Sequence, residues 1–350
     1  MPQNCALIVG ALGVTGRALV EHLADDPDWS VVALSRRAPD FETSARFLSV
    51  DLHDADATRA ALAGLAPVTH VFFTAYSPDP DIAAEIPINV GMLANLMDAI
   101  EPVAKNLQHV QLMHGAKFYG TFLGKYRTPA REDDPRPSVT HFYHAQQDWL
   151  ETRQDGKTWT WSTLRPHGVW GFSTGSAMNL LTGIACYGAL ARAEGDTLHW
   201  PGNTGFYGRL YQMIDVDLLA RAMAWVATTP AAANNAFNIT NGDLFRWAQV
   251  WPKIAEFFDL QPGEPRPLKI AQTMAGKGPL WDQLVAQHGL QPYGLDEIVN
   301  WAYLDMALGN DMDQVSSLTK IVSTGWTDLW NTEATITRQL QKLRDNRIIP

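Results

Sequence analysis

The chain has 350 residues, 46% of them hydrophobic and 18% charged, which is ordinary globular usage and enough chain to bury a large core without disulfide staples. The formal net charge of −10 argues against a general nucleic-acid or anionic-membrane binder. Two cysteines, Cys5 and Cys186, give neither a disulfide framework nor zinc spacing and fit a reducing compartment. No apolar stretch is long enough to span a bilayer, and the N-terminal apolar run breaks into glycines too early for a signal peptide, so a cytoplasmic protein is expected.

In chain order, the first half alternates short apolar runs with helical patterns. Residues 6–9, 30–35, 47–50, 70–74 and 109–113 read as buried strands; 16–24, 56–63 and 89–100 read as helices. This alternation predicts a Rossmann-type, doubly wound parallel sheet. A sixth strand is expected at 159–164, ending at Pro166, which lacks the N–H a strand interior needs. A helix at 215–226 and a strand at 236–239 follow, then helices at 247–258, 280–288 and 295–308. The expected organisation is a dinucleotide-binding domain over 1–170, its core also receiving about 210–245, and a smaller, mainly helical substrate-binding region over 171–350. Most of the 13 tryptophans are read as core or pocket wall.

Gly10, Gly13 and Gly16 follow the first strand and open the first helix. Glycines at this spacing permit the tight turn, the backbone approach to a pyrophosphate and close helix–sheet packing; the helix start, with Val14 and Thr15, offers N–H groups to phosphate. The second strand ends at Ser35, Arg36 and Arg37, where an NAD site usually carries an acid. Two arginines suit a 2′-phosphate, so NADP(H) is favoured, although solvated loop charges remain the bland alternative. Asp51 and Leu52 sit where an adenine edge is read, and Asp51 serves equally well as a helix cap.

None of the nine tyrosines has a lysine four residues on, so the usual short-chain dehydrogenase pair is missing. Two segments offer a substitute: His114-Gly115-Ala116-Lys117-Phe118-Tyr119-Gly120 and His141-Phe142-Tyr143-His144-Ala145-Gln146-Gln147-Asp148. They resemble the signature motifs of the progesterone 5β-reductase/iridoid synthase-like family, extended short-chain reductases, as do Trp161–Pro166, Gly171–Ser173, Met178-Asn179, Ala236–Asp243 with Trp247, Asn300–Asp305 and Thr319–Trp326. The resemblance implies NADPH-dependent 1,4-reduction of an enone or enal, a 3-keto-Δ4-steroid among the candidates. Tyr143 and Lys117 would then be catalytic, and a homodimer is implied. It also implies cofactor contacts from Thr74, Tyr143, Val169, Ser176 and Met178, and a substrate pocket of Tyr76, Phe118, Leu123, Tyr126, Met178 and Tyr303. The chain departs from the family pattern at His141 for Asn, His144 for Tyr and Gln147 for Glu, and at Leu123, Tyr76 and Tyr303 in the pocket. The chemistry therefore carries over better than the substrate. An extended carbonyl reductase or sugar epimerase is the alternative, and a non-catalytic NADP sensor a second.

Other patterns weigh less. Gly171-Phe-Ser173-Thr-Gly175 matches a hydrolase elbow that needs a strand–turn–helix setting. His141, His144 and Asp148 share a helix face, but polar neighbours of an active site are expected there and no metal.

Overall fold

Runs of Val, Ile, Leu and Phe become strands where both faces are covered. The computed structural model describes residues 3–174 and 176–350. In chain order it has β1 (Asn4–Val9), α1 (Val14–Ala24), β2 (Trp29–Ser35), β3 (Arg46–Ser49), α2 (Ala55–Leu62), β4 (His70–Phe73), α3 (Ile82–Ile100), β5 (His109–Met113), α4 (Phe142–Gln154) and β6 (Thr160–Pro166). Then come β7 (Gly168–Trp170), α5 (Leu180–Glu194), β8 (Leu198–His199), α6 (Thr204–Tyr207), β9 (Met213–Asp215), α7 (Val216–Thr228), β10 (Asn235–Ile239) and α8 (Trp247–Phe257). The remainder is mainly short helices, closing with Thr332–Asp345.

The chain divides into two compact units. The first comprises Met1–Pro166, Leu219–Ile239 and Ser317–Thr327. Its seven-stranded sheet runs β10-β6-β5-β4-β1-β2-β3, and every pairing is parallel. The order reverses between β1 and β4, the switch point where doubly wound sheets bind ligands outside the strands' carboxyl ends. Parallel strands place all those ends on one edge. Loops after β1, β4 and β5 therefore lie side by side, successive strands being about 4.8 Å apart.

The second unit comprises His167–Leu218, Thr240–Ser316 and Asp328–Pro350. Its core is built around α5, whose residues Leu180–Ala191 are all buried, and around Trp170, Trp200, Trp247, Trp251 and Trp281. The Trp200 ring lies 5.2 Å from that of Trp247 and 5.1 Å from that of Trp251.

Several expectations are corrected. The helix expected at 89–100 begins at Ile82, capped by Asp81 and tolerating Pro87. Pro87, the sixth residue of the helix, costs it one hydrogen bond, the one its missing N–H would make to the Ala83 carbonyl. The single helix expected at 295–308 is two, Leu295–Ile298 and Trp301–Leu308. Val299 between them is extended, and Asn300 caps the second by accepting from the Tyr303 N–H. The helices α5 and Thr332–Asp345 have no counterpart in the sequence reading. Ser317–Thr327, read as part of the C-terminal helical region, joins the first unit.

Candidate active site

Gly10 has φ +82°, a conformation that favours glycine. A Cβ on it would sit 2.7 Å from the Ala75 nitrogen, and one on Gly16 would sit 2.2 Å from the Gly10 carbonyl oxygen. The loop is thus packed so tightly against β4 and its own helix that no side chain fits. Thr74 ties the two strand ends together, its hydroxyl donating to the Val9 carbonyl at 2.7 Å. Gly13 is the N-cap of α1 without a side-chain bond, and the first turn, Val14, Thr15 and Gly16, carries no acid. The helix thus presents its N–H groups and positive end with no competing carboxylate, the arrangement that receives phosphate. These residues fit a dinucleotide.

Ser35 ends β2 and accepts from the Arg37 N–H at 3.2 Å. Arg36 and Arg37 are exposed and, among the described residues, have no ion pair. Arg17, one position past Gly16, is differently placed: it is buried and bound to Glu21 at 2.9 Å and Asp40 at 3.1 Å. Asp51 does not cap α2. Its carboxylate accepts from the His53 N–H at 3.1 Å, while Asp54 caps the helix through Asp56 and Ala57. Leu52 is buried and its carbonyl accepts from Asn95 at 2.8 Å.

Beyond β5 the chain turns at Gly115 into a single 3₁₀ turn, Ala116–Tyr119, that carries Lys117. Tyr143 stands in the first turn of α4. A Cβ on Gly115 would lie 3.5 Å from the Tyr143 hydroxyl oxygen, which places the phenol over the loop two residues before the lysine. The ring is held from several sides. It stacks on His114 at 4.6 Å and lies 4.5 Å from both His141 and Phe142.

The three histidines have distinct places. The His141 N–H donates to His144 Nδ1 at 3.0 Å, and His144 Nε2 bonds the Phe118 carbonyl at 2.8 Å. His141 Nδ1 accepts from the Tyr143 N–H at 3.3 Å, so the His141 proton belongs on Nε2. Burial, then the Lys117 and His144 charges, pull the His141 pKa down to about 3. His114 is pushed well below the usual range by burial and then by Arg165. The His141 and His114 rings are thus neutral at ordinary pH. Asp148, which shares the helix face, pairs with Arg136 at 2.6 Å.

Phe118, expected to line a pocket, is buried (3% exposed), with the Arg165 guanidinium 3.4 Å from its ring centre. Tyr126 and Tyr143 both pack against the cluster of Phe118, Tyr119 and Ala130. Leu123 is 51% exposed and Tyr76 40%. The Tyr76 ring stacks on Phe142 at 5.3 Å. Val169, Ser176, Met178 and Tyr303 belong to the second unit. There Val169 pairs with Ile214, Met178 is exposed, and burial pushes the Tyr303 phenol up. Ser173 is buried and α5 starts only at Leu180, so no elbow forms around it; Gly175 of that pattern lies outside the described residues.

Sequence reasoning missed Glu85. It is 4% exposed, accepts hydrogen bonds from the Tyr76 hydroxyl and from the Asp79 N–H (3.3 Å), and has an oxygen 4.0 Å from His141 Nε2. The signal was present. Glu85 sits at helical spacing from Asn89, Met92, Leu93 and Leu96, on the buried stripe of α3, where an acid needs an explanation.

A family model described as PRISE-like Rossmann-fold domain matches residues 6–350. An (S)-8-oxocitronellyl enol synthase from Nepeta racemosa is 33% identical, with 99% of this chain and 94% of that protein covered. A 3-oxo-Delta(4,5)-steroid 5-beta-reductase from Arabidopsis thaliana is 32% identical over the same shares. Among solved structures, a putative epimerase from Burkholderia cenocepacia superposes with TM-score 0.69 at 18% identity, covering 98% of this chain and 99% of that one, a likeness of fold alone. Matched by that model over nearly its whole length, the chain belongs to the PRISE-like Rossmann-fold family and is an oxidoreductase.

Proposed function

We propose that the protein reduces the C=C bond of an enone or enal with NADPH, adding hydride to the β-carbon. The observation that carries this reading is the Tyr143 hydroxyl lying over Gly115, two residues before Lys117, on the sheet edge that also bears the glycine loop. A nicotinamide dinucleotide held by that loop supplies the hydride. Negative charge then develops on the substrate's carbonyl oxygen, and the enolate takes a proton from water at the α-carbon to give the saturated carbonyl. The Tyr143 hydroxyl donates to that oxygen, stabilising the enolate more than the ground state. The Lys117 ammonium favours the charge on both and helps orient the phenol. His114 and Phe142 fix the ring, so little reorganisation is needed when the charge appears. Arg36 and Arg37, lacking acidic partners among the described residues, are the groups to receive a 2′-phosphate.

The test is a panel of cyclohexenone, a linear enal and a 3-keto-Δ4-steroid with NADPH or NADH, followed at 340 nm with products identified by mass spectrometry. Saturated carbonyl products, formed faster with NADPH, are expected. Tyr143→Phe should lower kcat about 10²- to 10³-fold. Allylic alcohol as the product would overturn 1,4-addition in favour of carbonyl reduction.

A further inference from the structure

Tyr76 follows β4 on the ligand-binding edge of the sheet and is half-exposed, yet its hydroxyl proton is already used. It donates to Glu85, a carboxyl that the first unit buries and surrounds with donors. The Asp79 N–H reaches the same oxygen at 3.3 Å, and the proton-bearing Nε2 edge of His141 faces the other at 4.0 Å. Glu85 therefore remains an acceptor, and the Tyr76 oxygen has only lone pairs left to offer. The Tyr76 side chain is near the reaction centre proposed above: its ring stacks on Phe142, which meets Tyr143 edge-on at 4.5 Å.

We propose that Tyr76, its proton committed to Glu85, accepts a hydrogen bond from a hydroxyl on the substrate, so that the preferred substrates are enones or enals carrying a hydroxyl away from the conjugated carbonyl. This rests on the C=C reductase reading. Tyr76 is the residue that touches the ligand, and Glu85 is a positioning residue acting through it. Burial, then the hydrogen bond and charge of Glu85, then Tyr143, raise the Tyr76 phenol above its usual range, so it stays a neutral hydroxyl at working pH. A substrate bearing only a second carbonyl at that end would meet lone pair against lone pair. Discrimination of this kind comes from unpaired polar groups in the wrong complex.

The experiment compares linear 2-enals of six to ten carbons that end in a methyl, a hydroxyl or a ketone, using the whole protein and NADPH. At one chain length or more, wild type should favour the hydroxylated member over the methyl member about three- to tenfold in kcat/KM, expressed mainly in KM, the range one neutral hydrogen bond supplies. Tyr76→Phe should bring that ratio to about one. Glu85→Leu frees the phenol proton, so the preference should turn from hydroxyl toward ketone. Glu85→Gln keeps a carbonyl acceptor and should keep the wild-type order, a pattern that a merely structural role for Glu85 does not produce. Turnover of the series with no hydroxyl preference in wild type, or a preference that survives Tyr76→Phe, overturns this inference alone. Absence of turnover with every member overturns this inference; joined to absence of turnover with cyclohexenone and the 3-keto-Δ4-steroid, it overturns the reductase reading as well.

Discussion

The Arg165 guanidinium, almost wholly buried, donates from Nη2 to the Gln147 side-chain oxygen at 2.9 Å. Its Nη1 reaches the Tyr119 hydroxyl at 3.1 Å and the Glu132 carbonyl at 3.4 Å. None of these partners is a carboxylate, so a buried cation is held by neutral acceptors and by the face of Phe118. Leaving one of its donors without a partner costs about 1–3 kcal/mol, more for a charged group. Gln147→Leu should therefore lower the unfolding free energy read from urea titration by an amount in or above that range, with a lower midpoint, whereas Gln147→Glu should not. A midpoint unchanged in Gln147→Leu would show that solvent reaches the guanidinium.

Gly16→Ala puts a methyl group 2.2 Å from the Gly10 carbonyl oxygen, so the loop must move. The expected outcome is at least a tenfold loss of NADPH affinity, read by quenching of tryptophan fluorescence, with the far-ultraviolet circular dichroism retained. Gly64→Ala, where nothing lies within 4 Å, is the matched control and should bind as wild type does.

Replacing Arg36 and Arg37 by Asp and Ser removes two exposed cations and supplies an acid at the end of β2. The ratio of kcat/KM for NADPH over NADH should fall at least tenfold, mostly through a rise in the NADPH KM. An unchanged ratio would reduce these arginines to solvated loop charges.

Buried histidines make stability depend on pH in a definite direction. Burial lowers His109 to about 3 and holds His114 well below its ordinary value of 6.5. The unfolded chain therefore binds protons that the folded chain refuses, and stability is lost as pH falls below about 6.5, continuing toward the folded values. Each of these two fully buried rings contributes up to about 1.4 kcal/mol per pH unit in that window. The thermal midpoint should be level from pH 7 to 8 and drop steadily between pH 6.5 and 5. His109→Gln should flatten part of that drop, since an amide still meets Thr160 and Ser162, which now bond the ring at 2.8 Å each.

The sheet was legible because each strand is a short apolar run bounded by turn residues, and the glycine loop because it sits between a strand and a helix. Helix α5 was not, for a physical reason. It is buried on every side from Leu180 to Ala191, so it has no polar face to set a period, and it contains Gly183 and Gly188, which read as breakers. Both glycines have a packing purpose: a Cβ on Gly188 would lie 2.5 Å from the Phe258 ring and one on Gly183 3.2 Å from Leu304. The helix Thr332–Asp345 is a plainer omission. Asn331 caps it, and Ile336, Leu340 and Leu343 recur at helical spacing on its buried side. At the candidate site, Lys117 and Tyr143 were singled out through the family resemblance of the two segments that carry them. Glu85 was overlooked because its importance lies in Tyr76, nine residues earlier, and in His141, 56 positions later, partners that only the folded chain brings to it.

The first unit is assembled from three stretches, the last of them Ser317–Thr327. During synthesis, β6 therefore waits for an edge neighbour until Asn235–Ile239 has emerged, and Trp225 waits for the Trp326 ring that lies 5.4 Å from it in the finished protein. A nascent chain holding only the first 170 residues has its nucleotide loop but not its complete sheet, with a row of unpaired backbone groups along β6. Completion of the first unit is thus deferred until nearly the whole polypeptide has left the ribosome, and a fragment cut after Pro166 should be prone to aggregate rather than behave as a portable module.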